Sequence, residues 1–428
     1  MKTKLFSLLL VLPLLVFCTP DNIEPNDGPD TEQQDTTQKP PVDTTQQETP
    51  APLPPVDEGN DEDKAPEVKD GDRILATHET VEKFLTDVSY PEHDYSYSDM
   101  KEWAEENGVQ VAPGLRNAGA TDTPPVFSIR WEADAADGEI TAVLAEPSWS
   151  REWTLAAGET YLEITNLCPN THYTYEVKAG DKVLTSGAFD TYGKVRQVRY
   201  HNVRNCRDLG GWPAADGKAV KYRMVYRSGR ICDPYLGSAA GIADFKADGI
   251  VAQLDLRGVD DVMTKEESPL AAFYEMDEFI FCAPVVEEGY ATLLRDDSEK
   301  ARQCFQFIMD CVADNNPVVF HCSLGRDRTG TVSMVILGLL GVNEGLISQE
   351  YELTQFAPSG YATSNGEKTK MWRTIDYRSA ANYIWDNFVA EGESFADGVE
   401  KYLLSIGISQ ADIDTFRANM LVDAPAAE

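Results

Sequence analysis

Residues 317–341 read PVVFHCSLGRDRTGTVSMVILGLLG, and the groups able to do chemistry crowd between His321 and Gly330. Cys322 and Arg328 stand six positions apart. A strand ending at His321 and a helix beginning near Arg328 or Thr329 force the residues between them into a tight loop. In such a loop the N–H groups of Ser323, Leu324, Gly325, Arg326, Thr329 and Gly330 turn toward one cup above a helix N-terminus. Oriented amides and a helix dipole together bind a tetrahedral dianion. Gly325 and Gly330 allow the turn and the close approach of an anion. The same field favours thiolate over thiol, so Cys322 reads as a nucleophile that attacks phosphorus without an adjacent general base. Arg328 offers two donors to equatorial phosphoryl oxygens, a fork that lysine cannot reproduce. Thr329 is placed to hydrogen-bond the sulfur as it leaves, and His321 to orient the loop from behind. This chemistry calls for no metal and no cofactor. With five His scattered along the chain and no CxxC pair, a metal site is not expected.

The elements that must hold this loop come after a long preamble. At 428 residues the chain is too long for one core. Its 37 basic and 72 acidic residues give a formal charge of −35, which argues against nucleic acid and anionic lipid headgroups as partners of the surface as a whole. The start, MKTKLFSLLLVLPLLVFC, places two lysines before an apolar run too short to span a bilayer permanently. That run is expected to be an export signal over residues 1–18. Residues 19–72 hold ten prolines and an acidic run, and are expected to be a disordered tether. A short helical segment is expected over 73–120, with Ser98 capping SDMKEWAEENG and Gly108 ending it. Residues 121–193 alternate apolar and polar positions between turn residues, as short antiparallel strands do. After Gly193 the strands MVYRS, IVAQLDL, EFIFCAP and PVVFHC alternate with amphipathic stretches, which implies a parallel or mixed sheet between helices. Cys304 and Cys311 fall on one face of such a helix and read as core. Spacing does not decide whether any disulfide forms.

Three resemblances add to this. Cys18 at the end of the apolar run resembles the lipobox of bacterial lipoproteins, which implies a lipid anchor there and an exported, membrane-anchored protein facing periplasm or cell surface; an ordinary secretory signal cut nearby is the alternative. The stretch LCPNTHYTYEVKAGDKVLTSGAFDT resembles the end of a fibronectin type III sandwich. Finally, HCSLGRDRTG resembles the signature loop of protein tyrosine phosphatases, and within them the bacterial branch with Cys-x-x-Gly-Lys-Asp-Arg-Thr-Gly loops. RNCRDLGG (204–211), YRSGRI (226–231), QLDLRG (253–258) and EYELT (350–354) match further segments of that branch in order. The implied fold is α/β, a phosphatase-like mixed sheet flanked by helices over 194–428, preceded by a small all-β sandwich over 121–193.

The resemblance implies that Cys322, Arg328 and Asp327 are catalytic, with Asp327 as general acid. It also offers Glu287 and Glu288 as alternatives, since many relatives carry that acid on a loop upstream of the nucleophile. Asp208, Asp255 and Arg257 fall in the matching segments as supporting residues. Between 194 and 230 seven Arg and three Lys face only Asp208 and Asp216. These either focus an anionic substrate into the cup or serve as solvated and internally paired residues, Arg207 with Asp208 for example. Three functions follow: a protein tyrosine or dual-specificity phosphatase, a phosphoinositide or inositol polyphosphate phosphatase favoured by Arg326 and the basic stretch, and an exported adhesion or scaffold protein. The expected partner is a phosphorylated substrate.

Overall fold

The computed structural model describes residues 65–90, 103–104, 106–108, 123–134, 138–200, 203–231, 244–271, 274–275, 277–357 and 375–424. The export signal, Cys18 and nearly all of the expected tether lie outside them. So does Ser98, with most of the helix it was expected to cap.

Among the described residues the first half holds seven strands: β1 (Arg73–Leu75), β2 (Phe127–Arg130), β3 (Ile140–Glu146), β4 (Trp149–Leu155), β5 (Tyr161–Ile164), β6 (His172–Ala179) and β7 (Lys182–Tyr192). One sheet has the order β1-β7-β6-β3-β4 and a second pairs β2 with β5. Alternation decides which side chains go inside. Along β6, Tyr173, Tyr175, Val177 and Ala179 are buried while His172 and Thr174 are exposed. They meet Ile140 and Leu144 of β3, Ile164 of β5 and Phe189 of β7 in one apolar core.

The tether boundary expected at residue 72 is corrected by this sheet. Val68 is 2% exposed within the same core, and its N–H donates to the Ser128 carbonyl at 2.8 Å. β1 then pairs in parallel with β7. Backbone pairing does not depend on side-chain charge, so an acidic, proline-bearing segment can still join a sheet. The segment 73–120 likewise opens as a strand, and its first helix is α1 (Glu79–Asp87), which buries Val81, Phe84 and Leu85.

The second half holds β8 (Arg207–Asp208), β9 (Lys218–Val220), β10 (Val225–Ser228), β11 (Ala252–Asp255), β12 (Ile280–Cys282), β13 (Val318–His321) and β14 (Leu421–Asp423). Its main sheet runs β12-β11-β13-β10-β8, parallel except for β8, and β9 pairs with β14 apart from it. The helices are α2 (Tyr290–Arg295), α3 (Ser298–Ala313), α4 (Asp327–Leu339), α5 (Glu344–Glu352), α6 (Ile375–Phe388), α7 (Phe395–Ser405) and α8 (Gln410–Met420). α4 is apolar on every face and buried from Thr329 to Leu339, as a helix in the middle of a core must be. Cys304 and Cys311 of α3 are both buried in that core. The six described cysteines are unbridged.

Register sets the stage for the site. Ser228 pairs with His321, and His321 with Asp255, so β10, β13 and β11 end in one row. Loops leaving their carboxyl ends must therefore meet, where open α/β sheets bind ligands.

Within the basic stretch 194–230, Arg196, Arg207 and Arg227 are buried while Lys194, Arg199 and Arg204 are exposed. Arg196 is fully buried and donates to Asp208 at 3.0 Å, to Asp248 at 2.7 Å and to the Asn166 carbonyl at 2.9 Å. Arg207 is buried against Glu350, not Asp208. Neighbouring residues on a strand point to opposite faces, which is why Arg207 and Asp208 find different partners. Arg223 reaches from this half to Glu146, Asp248 and the Tyr173 hydroxyl, with its guanidinium 4.0 Å from the Trp149 ring centre.

Candidate active site

The loop Cys322–Arg326 joins β13 to α4, and its carbonyls are tied away from its concave side. Asn205 Nδ2 donates to the carbonyls of Leu324 at 3.0 Å and Gly325 at 2.9 Å. The Arg230 N–H donates to the Ser323 carbonyl at 3.1 Å, and Arg227 to that of Gly325. A trans peptide points the next N–H opposite to its carbonyl. Tying back these carbonyls thus turns the N–H groups of Leu324, Gly325 and Arg326 toward the other side, the side that forms the cup. Gly325 has φ +70°, and a Cβ there would lie 2.5 Å from the Ser228 carbonyl oxygen and 2.6 Å from the Gly229 nitrogen. Only glycine lets the loop settle on this segment.

Behind the loop stands Glu350 of α5. Its carboxylate accepts from Arg207 Nε and Arg227 Nη1, each at 2.7 Å, with all three side chains buried. Arg207 also donates to Asn205 Oδ1 at 2.6 Å, orienting the amide that holds the loop. Burial and the neighbouring Arg227 lower the Arg207 guanidinium to about 10.

Cys322 is 1% exposed. Burial acts to raise its thiol and Asp327 adds to that, yet the Arg328 charge and the side-chain and backbone hydrogen bonds of Thr329 bring it below the ordinary value. The Thr329 hydroxyl is buried with no nitrogen or oxygen partner, which leaves it to the sulfur. His321 is fully buried, and burial lowers it to about 4, so its ring is neutral near pH 7. Its Nε2 lies 2.8 Å from Gln253 Nε2, a donor, and its Nδ1 lies 3.3 Å from the Cys322 carbonyl. Those partners assign the proton to Nδ1. Asp255 accepts from Arg257 at 2.8 Å and from the Met263 N–H at 3.2 Å, bracing the turn beside His321.

Arg328 is half-buried, and its Nη1 donates to the Val286 carbonyl at 3.0 Å. Asp327, the first residue of α4, keeps 37% of its side chain exposed and accepts from the Tyr290 hydroxyl. Gly289 passes directly over that first turn: a Cβ there would lie 2.9 Å from the Arg328 nitrogen. Gly330 meets the Tyr351 ring as closely, at 2.8 Å from a Cβ.

Several expected roles change. The Arg326 side chain is 3% exposed, with Tyr351, Asp327, Tyr290 and Glu352 around it, so only its N–H faces the cup. Ser323 Oγ donates to Asp261 at 3.2 Å. Glu287 and Glu288 are exposed, and Glu287 accepts from the Val259 N–H at 2.9 Å. Asp208 belongs to the Arg196 cluster, and its carboxylate also accepts from the N–H groups of Gly210 and Arg223. Tyr290, Tyr351, Gln253, Asn205 and Glu350 had no role in the sequence reading. All of these but Tyr290 sit in the matching segments RNCRDLGG, QLDLRG and EYELT. Tyr290 gave no local sign, because the groups it touches are 37 and 61 residues away. Among the described residues, no group of three or more His, Cys, Asp or Glu side chains could hold a metal ion.

A sequence model of the tyrosine phosphatase family matches residues 198–422, a stretch holding every part of this loop and its supports. The chain belongs to that family. A Cupriavidus necator protein named as a candidate tyrosine-protein phosphatase is 28% identical over 175 residues, covering 36% of this chain and 61% of that protein. A Nostoc commune tyrosine-protein phosphatase is 27% identical over 146 residues, covering 31% of this chain and 48% of its own length. The chain thus spans between about half and three-fifths of these relatives. Among solved structures, P. aeruginosa TpbA is similar at 15% identity, covering 46% of this chain and 97% of that one, with a TM-score of 0.26, too low to support any inference.

Proposed function

We propose that this chain is a cysteine-dependent protein tyrosine phosphatase acting through a phosphocysteine intermediate. The observation behind this reading is a buried thiol held below its ordinary pKa at the mouth of a loop whose carbonyls are all tied elsewhere. The names of both relatives support phosphotyrosine as substrate. The Cys322 thiolate attacks phosphorus in line; the S–P bond forms as the P–O bond to the leaving phenol breaks. Asp327 protonates that oxygen, and of the carboxylates weighed it alone lies within the first turn of α4 beside Arg328. Water then attacks the phosphocysteine, giving its proton to Asp327 and releasing inorganic phosphate and the thiolate. Loop amides and Arg328 hold the equatorial oxygens throughout, and most of the transition-state stabilisation comes from them.

An inositol polyphosphate substrate loses part of its support, since Arg326 and the arginines at 196, 207 and 227 are buried, while Arg199 and Arg204 stay exposed. The β-sandwich before the phosphatase domain is read as fibronectin type III-like, on its Tyr-x-Tyr-x-Val strand. The apolar start and Cys18 support an exported lipoprotein. The test is phosphate release from an aryl phosphate and a phosphotyrosine peptide by the full chain. Cys322→Ser is expected to abolish turnover while substrate binding persists; equal turnover by this variant would overturn the reading.

A further inference from the structure

Between β12 and α2 the backbone does something unusual. Val285 has φ +59° and Tyr290 φ +58°, so two residues with side chains, one of them β-branched, sit in the left-handed region. Such conformations persist where surrounding contacts over-determine them. Here nearly every contact falls on the first turn of α4. The Val286 carbonyl accepts from Arg328, and Gly289 lies against the Arg328 nitrogen. The Tyr290 N–H donates to Thr331 Oγ1 at 2.7 Å, and that hydroxyl donates to the Asp327 carbonyl at 2.9 Å. The Tyr290 hydroxyl donates to Asp327 Oδ1, and the Tyr351 hydroxyl lies 2.9 Å from that of Tyr290.

Resting on the phosphatase reading above, we infer that Tyr290 is the positioning residue for the general acid, holding Asp327 by one carboxyl oxygen so that the other carries the proton to the leaving group. A carboxylate only accepts, so Tyr290 must spend its single proton on Oδ1, and Tyr351 then donates to Tyr290. With Oδ1 occupied, the acidic proton rides on Oδ2. It passes to the leaving oxygen as the P–O bond breaks, and Oδ2 recovers a proton from the water that opens the phosphocysteine. The arrangement explains why this tyrosine tolerates a left-handed backbone: its main chain must bridge to Thr331 while its ring returns to Asp327.

The test uses the full chain and a series of aryl and alkyl phosphates whose leaving groups range from weakly to strongly basic. Expelling a basic leaving group depends on the acid, and an acidic one hardly does. Removing a general acid costs on the order of 100-fold or more. Asp327→Asn is therefore expected to lose kcat/KM steeply toward basic leaving groups. Tyr290→Phe should show the same tilt at about a tenth of that size, with a smaller tilt for Tyr351→Phe. The double variant Tyr290→Phe/Asp327→Asn should be no worse than Asp327→Asn alone. A uniform loss across leaving groups for Tyr290→Phe, or additive losses in the double variant, would overturn the inference while leaving the acid assignment standing. A flat series for Asp327→Asn overturns both the acid and its positioning residue, yet turnover that still needs Cys322 keeps the phosphatase. Thermal melts of each variant separate a folding defect, which lowers all substrates alike, from this tilt.

Discussion

In the proposed reaction the Cys322 sulfur attacks as thiolate, and burial alone would favour the thiol. The Arg328 charge and Thr329 overcome that burial, while the neutral His321 ring holds the Cys322 carbonyl without adding charge. A second buried acid is less comfortable. Glu352 is fully buried, and burial raises it to about 7, with the Arg326 charge and a hydrogen bond from the Gln355 side chain acting the other way. Because the folded pKa lies above the unfolded one, the native state binds the extra proton. Stability is then fully present below pH 4.5 and drains away as pH rises to about 7. The shift corresponds to at most about 3 kcal/mol. Glu352→Gln should remove that loss, so the variant gains on the parent between pH 5 and pH 8; parallel denaturant curves at the two pH values check it.

Among the elements, α5 matters for what it places behind the loop. One carboxylate, Glu350, bridges two buried guanidiniums, and through Arg207 and Asn205 it orients the carbonyls of Leu324 and Gly325. Leaving buried charge uncompensated typically costs about 3–5 kcal/mol. Glu350→Gln should lower stability by that order. It should also weaken inhibition by inorganic phosphate, measured as an increased Ki, because the cup loses its backing. Four strands of this half were legible as the short apolar runs MVYRS, IVAQLDL, EFIFCAP and PVVFHC, while β8, β9 and β14, only two or three residues long, were not. α1 was not named, although Val81, Phe84, Leu85 and Val88 recur at helical spacing.

For the whole molecule, the consequence is that the sandwich and the phosphatase domain share buried charge. Arg223 couples Glu146 and Trp149 of the sandwich to Asp248 of the phosphatase domain, and Arg196 ties the Asn166 carbonyl to Asp208 and Asp248. The parent chain should therefore unfold in one transition. Arg223→Ala leaves buried carboxylates without their partner, at about 3–5 kcal/mol. Differential calorimetry should show its single peak split in two, the lower belonging to the smaller sandwich.

Residue order alone determined the loop between Cys322 and Arg328, because a strand, a tight turn and a helix follow one another locally. It also determined the alternation that fills the sandwich, since period-two burial is local. Tertiary structure alone decided where the arginines of 194–230 point and what holds Asp327. It brought Glu350 to Arg207 across 143 residues and Tyr290 to Asp327 across 37. Such pairings depend on which strands neighbour one another and in what register, and no window of sequence contains that information. The reading of Arg326 went astray for the same reason: a guanidinium beside a phosphate cup turns inward only if phenols and carboxylates from α2 and α5 are packed there to receive it.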